Sequence, residues 1–418
     1  MAIAERFEKY GFTVKDFAEK CDIYVINTCA VTAESSRKSY QMIRRAIGAN
    51  PLAVIAAVGC QSQLDAEQTA KLKGVDIICG TNNKLSAAEK AAELFYKGVK
   101  YPEPLILADT FIINGASFEP MTVTRQERTR AYVKIQDGCN NKCSYCVIPK
   151  IRGDLREKPA EIVTGEIQSL ADNGYKEIVL TGIETSAYKN ITELIRNVNK
   201  IEGIERIRLS SLDPSFITPS VSDELLAVPK FMPHFHLSVQ SGSSEILRSM
   251  RRKYNAETAL NNIGYIKKVN PAVNFSADIM TGYPNETLDN FNETLEFIKT
   301  VKFLHIHAFT YSRRPGTEAA AMPNQIPEPE KIRRAALLMQ MQNEIKYNLY
   351  KTASESSESL NVLFENYADN KASGHTPDFF EVEIKSLYDI RGELSDVKPI
   401  GVTSVKNIKN IKITGVRK

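Results

Sequence analysis

Between residues 131 and 311 the sequence repeats one pattern six times: a strand-like apolar run followed by a segment of helix length. The runs are AYVKIQD, EIVLTG, RIRLSS, HFHLSV, NFSADIM and HIHAFTY. Repeated strand–helix alternation restricts the chain to a parallel sheet, because parallel neighbours need a long return path and a helix supplies one. Six such units predict a partial TIM-like (β/α)6 barrel, whose functional groups would lie at the C-terminal ends of its strands.

The flanking regions follow different patterns. Three short runs near the N-terminus, DIYVINT, AVIAAVG and VDIICGT, alternate with polar helix-like segments and predict a smaller doubly wound parallel sheet. That region opens on an amphipathic stretch, Ile3 to Tyr10, where such a sheet would open on a strand. The first strand is therefore expected to precede Met1, in a longer form of the protein. Residues 101–130, with Pro, Gly and Ser and little periodicity, read as a linker. After the Pro-rich MPNQIPEPE a helix is expected from about Lys331 to Ser354, and then LNVLFENY, FFEVEIKS and GVTSVKNIKNIKITGVRK predict a small β-barrel. The fold class is thus α/β with three domains, at 1–110, 125–350 and 355–418. No apolar run is long enough to span a bilayer and no secretory signal follows Met1, which points to a cytoplasmic chain without membrane association. The net charge of +4 permits a nucleic-acid partner without requiring one.

Three of the seven cysteines, Cys139, Cys143 and Cys146, fall within GCNNKCSYC, directly after the first barrel strand. Their C-x3-C-x2-C spacing lets three thiolates converge at the strand's C-terminal mouth. Structural zinc wants four protein ligands, and no fourth Cys or His lies nearby in sequence. A cubane iron-sulfur cluster held by three cysteines instead leaves one iron open. Buried packing cysteines, or a zinc site completed by a remote residue, are the alternatives.

The loop, with Tyr145 before its last cysteine, resembles the signature of radical S-adenosylmethionine enzymes. That resemblance implies a [4Fe-4S] cluster on Cys139, Cys143 and Cys146, with S-adenosylmethionine at the open iron, Tyr145 beside the cofactor, and a 5′-deoxyadenosyl radical as the reactive species. RTRAYVKIQDGCNNKCSYCVIPKIRG, EIVLTGIETSAY, RIRLSSLDPSFIT, HFHLSVQSGSSEILRSMRRKY, ADIMTGYPNET and HAFTYSRRPGTEAAAM together resemble the methylthiotransferase family. Several of these stretches are most similar to the branch that modifies N6-threonylcarbamoyladenosine beside the tRNA anticodon. Within the family the alternatives are isopentenyladenosine in tRNA or an aspartate of a ribosomal protein. The resemblance also implies a TRAM-type C-terminal domain and a second, auxiliary [4Fe-4S] cluster, for which Cys29 and Cys60 match two of three ligand positions. The third would precede Met1 in a longer form of the protein, the alternative being a two-cysteine remnant whose auxiliary cluster is incomplete; Cys79, at the end of its strand, is the candidate substitute. Cys21 precedes its strand and reads as packing.

By position, Gly182, Ser211, Gln240, Asp278 and Tyr311 resemble the family's cofactor-contacting loops. Asn285 stands where the family often has Gly, and Glu184 is set aside because the family commonly lacks an acid there. Basic clusters at Arg125, Arg128 and Arg130, at Arg248, Arg251, Arg252 and Lys253, at Arg313 and Arg314, and in the tail from Lys406 to Lys418 form a candidate phosphate-tracking surface when taken together; each arginine cluster alone suits a solvated face better, and the tail suits either reading equally. The expected function is radical methylthiolation at C2 of threonylcarbamoyladenosine, with the tRNA anticodon stem-loop, an electron donor and a sulfur source as partners. The alternative of another class is a non-catalytic, metal-containing RNA-binding protein.

Overall fold

The computed structural model describes residues 1–108, 118–403 and 410–418. They form two compact units. The first comprises Met1–Val123, Asp137–Lys158 and Ser312–Ala321; the second comprises Thr124–Gln136, Pro159–Tyr311 and Met322–Lys418.

In the first unit four parallel strands stand in the order β1 (Ile23–Thr28), β2 (Val54–Gly59), β3 (Ile77–Cys79) and β4 (Leu105–Ile106). β2 is buried along its whole length because both faces of the sheet are covered. Val54, Ala56 and Val58 pack with Phe7 of α1 (Ala2–Lys9) and with Ala87, Ala88 and Ala91. Ile55 and Ala57 face the other way, toward Ile43 and Ala46 of α2 (Ala33–Ala49). Two short helices, α3 (Cys60–Leu64) and α4 (Ala66–Ala70), follow β2, and α5 (Lys84–Lys97) carries the alanines. β4 lies inside the stretch that reads as linker in the sequence. It pairs only Leu105 with Ile77 and Ile106 with Ile78, too few residues for periodicity to reveal.

The barrel strands all form where the apolar runs place them. They are β5 (Arg130–Lys134), then, past the two-residue strands β6 (Gln136–Asp137) and β7 (Arg156–Glu157) that bracket the cysteine loop in sequence, β8 (Glu177–Thr181), β9 (Arg206–Leu209), β10 (His234–Gln240), β11 (Asn274–Thr281) and β12 (His305–Thr310). Parallel sheets β5-β8-β9 and β10-β11-β12 are joined by bridges at Ile207–Phe231 and Leu212–Leu237, and one continuous core lies between the strands and their helices.

The C-terminal strands β13 (Leu360–Ala368), β14 (Lys371–His375), β15 (Glu381–Lys385), β16 (Leu394–Val402) and β17 (Ile413–Arg417) close into a barrel in the order β13-β14-β15-β17-β16. Closure leaves no edge strand. The preceding helix, Glu328–Ser356, adds Tyr350 to the barrel's core. Of the basic tail, Lys406 and Lys409 lie outside the described residues. Lys412 bridges Glu381 and Glu383 at 2.9 and 3.4 Å, and Arg417 pairs with Glu393 at 2.8 Å, so these two charges are matched by acids on the same barrel. Among the described residues no helix is long and apolar enough to cross a membrane.

Candidate iron-sulfur and cofactor sites

Register brings the first pair of cysteines together. Thr28 is the ladder partner of Gly59 on the adjacent parallel strand. Cys29 and Cys60 each follow by one residue, at the same sheet edge, with strands about 4.8 Å apart. Two features hold this edge. Gly59 has φ of +103°, and a β-carbon there would press on Asn27 Oδ1 and the Thr28 carbonyl, both at 2.7 Å. Thr28 Oγ1 donates to the Val58 carbonyl at 2.8 Å and accepts the Ser62 N–H at 3.2 Å, tying β1 to α3. On the other side, the Cys29 N–H donates to Ser39 Oγ of α2 at 3.0 Å. Cys29 is exposed and Cys60 is buried.

Cys79 is placed differently. It lies within β3 as the partner of Val58, on the sheet face covered by α5, and is fully buried in that core. Its thiol donates to the carbonyls of Asn82 and Asn83 at 3.3 and 3.4 Å. Cys21 donates to the Glu19 carbonyl and belongs to the packing beside Tyr24, as its place before β1 suggests.

The three-cysteine loop belongs to this same unit. It opens at Gly138, whose φ of +71° and close approach to the Asp154 carbonyl exclude a side chain. The Cys139 N–H then donates to the Gly153 carbonyl at 3.1 Å, closing the loop's base. The sulfurs of Cys139 and Cys146 accept backbone N–H groups from Asn141 and Ile148, each at 3.4 Å. Such donors favour thiolate over thiol and are what an iron-sulfur cluster uses to set its potential, so the residues present fit one. Among the described residues no three His, Cys, Asp or Glu side chains surround a single metal ion; cubane ligands sit on separate irons and need not do so.

After the loop, Val147 and Ile151, the latter in α6 (Ile148–Arg152), pack against Cys60 and Ala30. The segment Ser312–Ala321 joins the same assembly: Ser312 Oγ accepts the Ala33 N–H at the start of α2, and the Ala319 N–H donates to the Ser144 carbonyl.

Two arginines that sequence reasoning did not connect with the cysteines stand beside them. Arg152 donates through Nη1 to Asp137 at 2.8 Å and through Nη2 to the Cys60 sulfur at 3.2 Å. Burial opposes its charge, but Asp137 and Cys60 outweigh that and hold its pKa above the ordinary value. Arg314 is 6% exposed and donates to Ser36 Oγ at 3.3 Å. Burial pushes its pKa down, while Cys29 and Tyr40 pull the other way. Lys84 is a third cation here, donating to Asn27 Oδ1 at 3.4 Å; burial and then Arg152 lower its pKa.

In the second unit the expected cofactor residues occupy consecutive strand ends. Gly182 follows β8, Ser211 follows β9, Gln240 ends β10, Asp278 lies near the end of β11 and Tyr311 follows β12. Ser211 and Gln240 carry left-handed backbone, φ of 40° and 67°, a strain that folds keep where a side chain or carbonyl must be aimed. Gly182 has a local reason: Gln136 Oε1 accepts the N–H groups of Ile183 and Glu184 at 2.9 and 2.8 Å and would meet a β-carbon at 2.7 Å. Tyr311 is 2% exposed, packed edge-on to Tyr283 beneath Lys331, so its ring is a wall and not a surface. Asp278 Oδ2 accepts from His236 Nε2 at 3.2 Å, and His236 Nδ1 reaches Ser276 Oγ at 2.8 Å. Asn285 has φ of 64°, the left-handed backbone that explains why Gly suits this place and why Asn can replace it.

Comparison with known proteins agrees with this arrangement. The profile of the Radical SAM superfamily matches residues 133–298, and that of Uncharacterized protein family UPF0004 matches residues 1–80. The threonylcarbamoyladenosine tRNA methylthiotransferase MtaB of Bacillus subtilis is 37% identical over 410 residues, 95% of this chain and 89% of the relative. A tRNA-2-methylthio-N(6)-dimethylallyladenosine synthase of Clostridium botulinum is 34% identical over 95% of this chain and 90% of its own. Among solved structures, the radical S-adenosylmethionine methyltransferase TsrM from Kitasatospora setae superposes with a TM-score of 0.55 over 76% of this chain and 73% of that one, at 15% identity, a likeness of fold. Similarity over 95% of the chain to a curated methylthiotransferase, with the Radical SAM match lying on the parallel barrel, leads to one family: the chain belongs to the radical S-adenosylmethionine methylthiotransferases.

Proposed function

We propose that this protein methylthiolates C2 of N6-threonylcarbamoyladenosine in the anticodon stem-loop of tRNA, in the cytoplasm, using an electron donor and a sulfur source. The observation that carries the reading is the unit in which Cys29 and Cys60, brought level by the β1–β2 register, share one packed assembly with the Cys139–Cys146 loop. In this reading Cys139, Cys143 and Cys146 hold one [4Fe-4S] cluster, and Cys29 and Cys60 are ligands of the auxiliary one. When bound, the first cluster supplies reductive cleavage of S-adenosylmethionine to the 5′-deoxyadenosyl radical that takes hydrogen from C2. The protein's part is to hold and shield. The backbone N–H groups of Asn141 and Ile148 stabilise the Cys139 and Cys146 thiolates, while Gly182, Ser211, Gln240 and Asp278 offer backbone and side-chain polar groups at the strand ends for the cofactor, and Tyr311 packs with Tyr283.

Full-length relatives named for dimethylallyladenosine are nearly as similar to the chain as those named for threonylcarbamoyladenosine, which makes dimethylallyladenosine the second reading. Mass spectrometry of tRNA nucleosides from a strain lacking the gene decides between them. Loss of 2-methylthio-N6-threonylcarbamoyladenosine, with the dimethylallyl derivative unchanged, is the expected result; the reverse overturns the choice. In the purified, anaerobically reconstituted protein, Cys146→Ala is expected to abolish 5′-deoxyadenosine formation.

A further inference from the structure

We propose that His236 is a positioning residue for the cofactor: braced by Ser276 and His234, it holds the Asp278 carboxylate ready to accept from the adenosyl part of S-adenosylmethionine. The proposal rests on the reading of Asp278 as one of the strand-end groups that bind that cofactor.

Alternation along β10 and β11 puts these four residues on one face. Phe235, Leu237, Phe275, Ala277 and Ile279 enter the apolar core between strands and helices, so His234, His236, Ser276 and Asp278 point the other way, into the barrel's interior. Register then sets the spacing: His236 is the ladder partner of Ser276, and Asp278 stands two residues further along β11. His236 Nδ1 lies 2.8 Å from Ser276 Oγ, and its Nε2 lies 3.2 Å from Asp278 Oδ2. Ser276 Oγ also meets His234 Nε2 at 3.0 Å. A carboxylate only accepts, so His236 Nε2 carries the proton shared with Asp278 and, in the neutral ring, Nδ1 accepts the Ser276 O–H. The serine oxygen is left to accept from His234 Nε2, and every donor in the row has one acceptor. Both rings are clamped as well. His234 stacks on Phe379 at 4.3 Å, and His307, the ladder partner of Asp278, meets the His236 ring edge-on at 5.7 Å. The row runs from a buried end to an open one: His234 is 6% exposed, whereas the Asp278 side chain is 27% exposed and its Oδ1 takes no hydrogen bond from the described residues. A network that served only to satisfy buried groups would close on itself. This one ends on a carboxylate held in one orientation, level with the strand end where Gln240 pairs with Ile279. An adenosyl group brings ribose hydroxyls and an exocyclic amine, donors that such an oxygen fits, and fixing the acceptor beforehand removes an ordering cost from binding.

The test measures the dissociation constant of S-adenosylmethionine by isothermal titration calorimetry, on the anaerobically reconstituted protein without reductant, so that the cofactor is bound and not cleaved. Asp278→Ala is expected to weaken binding about tenfold or more, the scale of a hydrogen bond to a charged group. His236→Phe keeps a ring against His307 but removes both hydrogen bonds, and is expected to weaken binding about fivefold. His236→Gln, whose amide can donate to Asp278, is expected to stay within about twofold of the parent protein. In the Asp278→Ala protein, His236→Phe is expected to have no further effect, because the carboxylate it positions is gone. Losses that multiply in the double variant, or binding unmoved by His236→Phe, overturn the positioning role and leave Asp278 as a cofactor contact. Binding unmoved by Asp278→Ala overturns that contact, and the proposal with it. If His236→Phe does not fold, Ser276→Ala carries the test: a loss of affinity that vanishes in the Asp278→Ala background supports the proposal, and unchanged affinity overturns it.

Discussion

Gly138 shows how much of the cysteine loop depends on one residue without chemistry of its own. Its φ of +71° costs an L-residue about 1–2 kcal/mol, and the Asp154 carbonyl occupies the space a β-carbon needs. Gly174, in a turn of the barrel unit, has φ of +85° and open space around it. Gly174→Ala therefore measures the backbone term alone, and is expected to lower stability by about 1–2 kcal/mol with iron content unchanged. Gly138→Ala is expected to cost more and to reduce iron bound after reconstitution, because relieving the clash separates the Cys139 N–H from the Gly153 carbonyl. Equal iron content in the two variants would refute this. Cys139, Cys143 and Cys146 stand out in the sequence as one group, since three thiolates within eight residues are local information. Arg152 and Arg314 were invisible as a pair, because the sequence distance between them carries no sign that both approach the N-terminal cysteines.

At the level of elements, two basic residues of the candidate phosphate surface, Arg130 and Arg252, are held in ion pairs within the fold. Arg130 of β5 pairs with Glu365 of β13 at 2.9 Å, and Arg252 with Asp213 at 2.7 Å. Arg206 and Arg208 of β9 lie 3.6 and 2.8 Å from the fully buried Glu177 of β8, and donate to the carbonyls of His375 and Thr376. Burial lowers the pKa of Arg206 to about 10. Phe379, with φ of 77°, lies flat between His234 and His375 with Arg130 and Arg208 over its ring. A bulky residue keeps that backbone only where packing dictates it. These contacts join the radical barrel's strands to the small β-barrel within one unit. Glu177→Gln keeps the shape and removes the charge, leaving two buried guanidinium groups under-compensated. Its expected cost is about 3–5 kcal/mol, read as a fall in the urea midpoint followed by circular dichroism. Exposed Arg248, Arg251 and Lys253 remain as candidates for tRNA contact. Alternation of apolar residues made the strands legible, but whether an arginine faces a carboxylate or solvent depends on a partner far away in sequence.

For the molecule as a whole, the parallel sheets were legible because strand-like runs alternate with segments of helix length, while membership of the units was not. The cysteine loop sits inside the barrel repeat in sequence, yet it packs with the N-terminal sheet through Val147 and Ile151, contacts that only the fold creates. Global stability carries a further signature of the barrel interior. Burial holds the pKa of His234 well below 6.5, and burial followed by His307 and Lys346 brings that of His305 to about 4. Burial lowers His307 as well. Below pH 6.5 the unfolded chain therefore takes up protons at these sites that the folded chain refuses, and stability must fall as pH drops. Between pH 6.5 and about 5 most carboxylates stay ionised, while burial raises the pKa of Glu184, Glu286 and Asp378, whose protonation in the folded state opposes the histidine term. The urea midpoint is expected to decrease steadily across that interval, and His305→Gln is expected to flatten part of the slope without changing its sign, since His234 still contributes. A slope that His305→Gln leaves unchanged between pH 6.5 and 5 would show that His305 accepts its proton in the folded state as readily as in the unfolded one.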